Sequence, residues 1–266
     1  MQLKGLTLVK LGGSVITHKG ASPPTINEEN IIRIAEELST HKDGLIVVLG
    51  GGAHGHQVAH SYGFGNSSTK SERLLMGIPH IRHNMSILAM EVESVLNDKG
   101  IPTVVIPPFT VSILKNRKVK TFSTTIMEKV LESKSVVLTH GDVCFDEERD
   151  ASILSGDTIA VYLAKTLATK SVYIGTDVDG VLDDDPSLNP SAKCIPIINQ
   201  TNKDEILKKT GPSKNTDVTG GMSKKVNELL ELAKHDIDVV IFNLTVPGRL
   251  TSLLSGKPTI CTRIMP

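Results

Sequence analysis

The most hydrophobic parts of this chain show no alternation of polar and apolar positions. Short runs are apolar almost throughout and stop abruptly at glycine or proline. Residues 6–11 run into Gly12-Gly13-Ser14, and residues 44–49 into Gly50-Gly51-Gly52. Residues 103–106 end at Pro107-Pro108, and 135–139 lead to Gly141-Asp142. Residues 171–174 pass into Gly175-Thr176-Asp177, and 239–242 complete the series. A strand covered on both faces has no solvent side to mark with polar residues, so such runs predict buried, mainly parallel strands.

Segments of helical periodicity lie between them. Asn27 stands where its side chain can cap Glu28–Leu38, with acids in the first turn. Residues 72–97 read as one long helix, or as two broken near Gly77-Ile78-Pro79. Residues 158–168 follow Ser155-Gly156-Asp157, and 221–235 follow Thr219-Gly220. Residues 117–122 and 143–153 read as polar hairpins or edge strands. The alternation predicts an α/β fold, a mainly parallel central sheet with helices on both faces. No repeat or linker divides the 266 residues. A single domain over 1–266 is expected, with lobes of about 1–174 and 175–266.

Composition narrows the partners. The 29 basic and 29 acidic residues cancel, which argues against a general polyanion-binding surface and so against nucleic acid. No apolar run approaches the ~18 residues of a membrane span, so no membrane partner is expected. The first eleven residues are strand-like with two lysines rather than a signal peptide, and a cytoplasmic protein is expected. Cys144, Cys194 and Cys261 are too scattered for a disulfide framework or zinc cluster. The 22 glycines say more, because many cluster at strand ends.

Ligands of open α/β sheets collect at the carboxyl ends of strands, where helix N-termini present amides. A glycine cluster there lets a phosphorylated ligand approach the backbone. Lys10, inside an apolar strand, is costly to bury without an anion; an edge lysine beside a tight turn is the plainer alternative. Lys19 lies in reach of the same charge, although by itself it is an ordinary surface lysine. Gly50, Gly52 and Gly55 also satisfy the dinucleotide pattern G-x-G-x-x-G, but no acid ends a following strand about 20 residues later. His54 and His56 could form a metal pair, yet no third and fourth ligands have local spacing; His56 fits better as a donor to phosphate at a helix start. Asp157 could be no more than an N-cap. The acidic stretch from Thr176 to Asp185 lacks the glycine and glutamate of a calcium loop. Thr219-Gly220-Gly221-Met222-Ser223-Lys224-Lys225 repeats the recipe of glycines, helix start and lysine. No G-x-x-x-x-G-K-[ST] occurs, so phosphoryl transfer through another architecture is indicated.

Taken in order, Lys10-Leu11-Gly12-Gly13-Ser14, Gly50-Gly51-Gly52, Ser155-Gly156-Asp157, Thr176-Asp177-Val178-Asp179-Gly180-Val181 and Thr219 to Lys225 resemble the amino acid kinase superfamily across nearly the whole chain. His56, four residues after the third glycine, and the early Lys19 are similar to the isopentenyl phosphate kinase branch, and fosfomycin-resistance kinases share the histidine. His54 departs from the aromatic expected there.

The resemblance implies an amino acid kinase-like α/β/α sandwich that phosphorylates isopentenyl phosphate with ATP and Mg2+, as a homodimer. A fosfomycin, amino acid or UMP kinase is the alternative, and a noncatalytic nucleotide sensor a more distant one. It implies that Lys10, Lys19, His56 and Asp157 are catalytic, with Asp157 orienting both lysines. ATP would meet Lys10, Leu11, Gly12, Gly13, Ser14, Gly52, Asp177, Asp183, Gly220 and Lys224. The acceptor phosphate would meet Gly51, His56 and Gly156, and no protein metal ligand is expected. Leu74, Leu75, Met76, Ile78, Met85, Ile87 and Met90 are candidates for the tail pocket, although most could be simple core. Residues 62–71, rich in Gly, Ser and Asn, could form a lid.

Overall fold

A computed structural model describes residues 5–66, 70–186, 188–210 and 221–266. In chain order it begins with β1 (Thr7–Leu11), α1 (Gly13–Ile16), α2 (Glu28–Leu38), β2 (Leu45–Leu49), α3 (Gly52–Ser61) and α4 (Ser71–Asp98). Then come β3 (Thr103–Val105), β4 (Ser112–Lys115), β5 (Lys118–Phe122), α5 (Thr125–Glu132), β6 (Val136–His140), β7 (Asp142–Asp146), β8 (Asp150–Leu154) and α6 (Gly156–Thr166). The chain closes with β9 (Ser171–Thr176), β10 (Ile197–Ile198), α7 (Lys203–Thr210), α8 (Gly221–Ala233), β11 (Asp238–Asn243), α9 (Arg249–Leu254) and β12 (Cys261–Ile264).

The six apolar runs become β1, β2, β3, β6, β9 and β11, within an eight-stranded sheet ordered β10-β12-β11-β9-β1-β2-β6-β3. All neighbours are parallel except β11 and β12. Side chains alternate between two cores, as the period of two requires. Ile46 and Val48 of β2 join Val172 and Ile174 of β9 against Ile159 and Leu163 of α6. Leu45, Val47 and Leu49 face the opposite way, onto Ile34 and Leu38 of α2 and Leu88 and Val92 of α4. The result is a helix–sheet–helix sandwich.

The two polar regions supply β5, β7 and β8 and, with β4, which the sequence did not disclose, form a second, four-stranded sheet ordered β5-β4-β7-β8. It is pinned by Asp146, whose carboxylate accepts from the amides of Asn116, Arg117 and Glu148 and from the Ser152 hydroxyl. Helix α4 is one continuous helix of 28 residues with Pro79 inside it. Packing holds it together: at Gly77 it lies so close to Tyr62 and Phe64 that an added Cβ would stand 2.8 Å from the Tyr62 Cβ. Strands β10 and β12 were not foreseen. Burial in β12 alternates residue by residue rather than running apolar throughout, which suits a strand near the sheet margin.

The functional end is set by close backbone approaches. A Cβ on Gly13 would stand 2.2 Å from the Gly52 amide nitrogen, and one on Gly156 2.8 Å from the Leu49 carbonyl oxygen. The turns that follow β1, β2 and β8 are thus in van der Waals contact, at the carboxyl edge of the large sheet.

Candidate active site

A cleft of about 650 Å³ opens at that edge. It is lined by the turns after β1 and β2, the first turn of α6, the end of β9, and parts of α3 and α4. Lys10, Gly12, Gly13, Ser14, Lys19, Gly51, Gly52, His56, Gly156, Asp157 and Asp177 all border it. Residues separated by up to 167 positions in sequence (Lys10 to Asp177) therefore share one space.

The strand ends explain how they meet. Lys10 sits in the centre of the sheet, flanked by Val48 of β2 and Ile174 of β9, and is only 7% exposed. Its ammonium lies 3.2 Å from an Asp157 carboxylate oxygen. Ser155, rather than Asp157, caps α6: the Ser155 hydroxyl accepts from the Thr158 amide at 3.1 Å. The simple N-cap account of Asp157 is thereby replaced. The first-turn amides of α3 and α6 have no partner within their helices, and both helices begin at the cleft. Thr17 locks the turns together, donating to the Gly13 carbonyl and accepting from the Ala53 amide.

Lys19 pairs with Asp177, at 2.6 Å, rather than with Asp157. Burial opposes ionisation of Asp177, but the bond and charge of Lys19, with help from Ser14, hold its carboxyl below the usual range. The two lysines thus have separate counter-ions, where the sequence suggested one.

His54 and His56 part company, since residues two apart on a helix face different ways. His56 borders the cleft, whereas His54 is buried, and burial lowers its pKa. Among the described residues, no three His, Cys, Asp or Glu side chains cluster as a metal-holding group.

Of the proposed tail residues only Met85 reaches the cleft, joined there by Ala59, Ile81 and Ile153. Leu74 instead lines an adjoining pocket of about 360 Å³ with Phe64, Gly65, Asn66 and Ser71 from the suggested lid. Met76 and Met90 are exposed. Asp183 does not border the cleft; its carboxylate accepts from the Lys193 amide. Gly220, the Lys224 side chain and lid residues 67–69 lie outside the described residues.

Among the cleft residues that the sequence did not single out, Asp142 carries charge. Asp142 is buried at the cleft wall, paired with Arg82 of α4 and accepting from the Val143 amide. Burial pushes its carboxyl up to about 7 against the opposing pull of Arg82. Arg82 also stacks over the Phe109 ring, 5.3 Å from its centroid. The signal available was the same strand–glycine–polar recipe, at Thr139-His140-Gly141-Asp142.

Comparison with known proteins bears on the family and the fold. A model of the amino acid kinase family matches residues 5–243. An isopentenyl phosphate kinase of Methanothermobacter thermautotrophicus is 33% identical over 97% of this chain and 98% of its own length. That of Methanocaldococcus jannaschii is 33% identical over 95% and 96%, respectively. A crystal structure of an isopentenyl phosphate kinase superposes with a TM-score of 0.86 at 30% identity, covering 98% of this chain and all of that one. A UMP kinase from Ureaplasma parvum, at 19% identity and a TM-score of 0.66, shares the fold.

Proposed function

Because the chain belongs to the amino acid kinase family, we propose that it transfers the γ-phosphoryl group of ATP to isopentenyl phosphate, giving ADP and isopentenyl diphosphate. Phosphotransfer follows from the family and from its isopentenyl phosphate kinase relatives. The choice of acceptor is carried by one observation: glycines and a histidine share one cleft with apolar side chains, and a Cβ on Gly51 would stand 3.8 Å from the Met85 sulfur. Gly51, His56 and Gly156 border the same cleft as Ala59, Ile81, Met85 and Ile153. A phosphate monoester with a short hydrocarbon tail matches both halves. An amino acid would instead need partners for its ammonium and carboxylate groups beside that apolar wall.

The chemistry asks little of acid–base catalysis. The second pKa of a phosphate monoester is ~6, so the attacking oxygen is already largely ionised at neutral pH. The difficulty is bringing two anions together, and cations with preorganised amides meet it. In this reading Lys10 follows the transferred phosphoryl group, with Asp157 keeping the ammonium charged and in place. Lys19 serves the β- and γ-phosphates, Gly12, Gly13, Ser14 and Gly52 flank the nucleotide side, and Gly51, His56 and Gly156 hold the acceptor. Leu11, Asp183, Gly220 and Lys224 are assigned to the nucleotide on the family resemblance. Asp157 and Asp177, each facing a lysine in the cleft, suit a magnesium ion carried on ATP oxygens rather than a protein-built metal site. That ion would supply charge neutralisation between the phosphates.

In this reading the acceptor belongs to the lobe before about residue 175 and the nucleotide's sugar and base to the lobe after it, with the phosphates between the two. A cytoplasmic homodimer is proposed on the family resemblance; among the described residues no helix is long and apolar enough to cross a membrane. Following ADP release with isopentenyl phosphate, dimethylallyl phosphate, fosfomycin, UMP, aspartate and glutamate tests the assignment. Preference for a prenyl phosphate supports it, and preference for any of the last four overturns it.

A further inference from the structure

The family resemblance assigns Asp177 to ATP, yet its oxygens are engaged by protein donors. They accept from Lys19 Nζ at 2.6 Å, from the Thr176 hydroxyl at 3.3 Å and from the Ser14 side chain. Two of these three donors, Lys19 and Ser14, are residues assigned to the ATP phosphates. Asp177 thus collects phosphate-side donors from the segment after β1, 158 residues away in the case of Lys19.

The two partners differ in how firmly they are held. Asp177 is half-buried and directly follows β9, which is hydrogen-bonded on one side to β1 and on the other to β11. The turn after β1 is pressed against it: a Cβ on Gly12 would lie 2.7 Å from the Gly175 carbonyl oxygen. Lys19 stands beyond α1, with its side chain 69% exposed. A long, exposed lysine has many rotamers, and freezing it costs entropy that is paid either before substrate arrives or in the transition state. Here the fixed carboxylate does the freezing.

We propose that Asp177 is a positioning residue that acts through Lys19, holding its ammonium across the cleft mouth where the transferring phosphoryl group passes. The assignment rests on the kinase reading above. It makes Asp177 an organiser of cationic charge, paralleling Asp157 with Lys10, so that each lysine has its own carboxylate on a neighbouring element.

Steady-state kinetics of the wild type, Asp177→Asn, Lys19→Ala and the double variant test this, with urea midpoints confirming that each is folded. Asp177→Asn is expected to lower kcat about tenfold while leaving KM for isopentenyl phosphate within about twofold. In the Lys19→Ala background the same change is expected to alter kcat by less than about twofold, because the group it positions is gone. Asp177→Glu, which keeps the charge, is expected to retain kcat within about threefold of wild type and serves in its place if the Asn variant does not fold. Wild-type kcat in Asp177→Asn, losses that multiply in the double variant, or a Glu variant as impaired as the Asn variant would each overturn the proposal. A wild type inactive on isopentenyl phosphate overturns the functional reading instead. An active wild type with an unaffected Asn variant removes only the role of Asp177.

Discussion

The Lys10 ammonium stands 3.2 Å from the Asp157 carboxylate, one group at the end of β1 and the other in the first turn of α6. A lysine only 7% exposed at the centre of a parallel sheet is tolerated because this counter-ion and the mouth of the cleft are both at hand. Lys10→Ala is therefore expected to lower kcat by about 10²–10³-fold or more. Asp157→Asn, which leaves the lysine in place but removes its partner, should lower kcat less. Single-turnover kinetics with saturating ATP check both. Near-normal turnover of Lys10→Ala is incompatible with a place on the transferred group.

His56 is expected to act on one substrate and not the other. It borders the cleft from α3, the helix that also contributes Ala59 to the lining. His56→Ala is expected to reduce kcat/KM for isopentenyl phosphate at least about tenfold, with little change in KM for ATP. Titration of each substrate against the variant checks this, and an equal loss for both would move His56 away from the acceptor.

Much of this was legible before any coordinates. Unbroken apolar runs disclosed the inner strands, and glycines after them disclosed the ligand edge, because both follow from local chemistry. The pairing of Lys19 with Asp177 was not legible, since it depends on β9 lying beside β1, a neighbour relation that no local pattern encodes. The same holds for the apolar end of the cleft. Ile153 lies on a strand read only as a polar edge, and of the seven apolar candidates it was Met85 that turned inward, because α4 packs its Ile81–Met85–Leu88 face onto the sheet. The glycines have a second purpose beside the amide donation proposed for them: they are contact points between turns.

That second purpose is measurable. Alanine at Gly13 would place a carbon 2.2 Å from the backbone nitrogen of Gly52, whereas Gly100, at φ +73°, has nothing within 4 Å. Gly13→Ala is expected to cost about 2–3 kcal/mol or more, as overpacking against backbone does. Gly100→Ala should cost about 1–2 kcal/mol from its left-handed conformation alone. Urea unfolding of the two variants compares crowding with backbone strain directly.

Asp146 makes the small sheet sensitive to acid. Burial alone would raise its pKa, but the Arg117 amide, the Ser152 hydroxyl and the Glu148 and Asn116 amides together hold it below the usual value. A group whose pKa is lower in the folded protein binds protons more readily when unfolded, so its stabilisation is present above the unfolded-state pKa. It is lost as the pH falls through the folded-state value. Asp146→Asn should cost about 2 kcal/mol at pH 7, the scale of hydrogen bonds to a charged acceptor. The difference from wild type should shrink toward pH 3. Chemical denaturation across that range reads the slope, and a penalty that stays constant with pH would show that the charge of Asp146 is not what counts.

In the proposed reaction a cradle of Gly51, His56 and Gly156 presents a prenyl phosphate to ATP held over Lys10. The most direct measurement is the phosphorus-31 NMR spectrum of the protein incubated with ATP, Mg2+ and isopentenyl phosphate. The monoester resonance is expected to give way to the two coupled resonances of a diphosphate, with ADP appearing in equal amount. Loss of ATP to inorganic phosphate while the monoester resonance persists would contradict it.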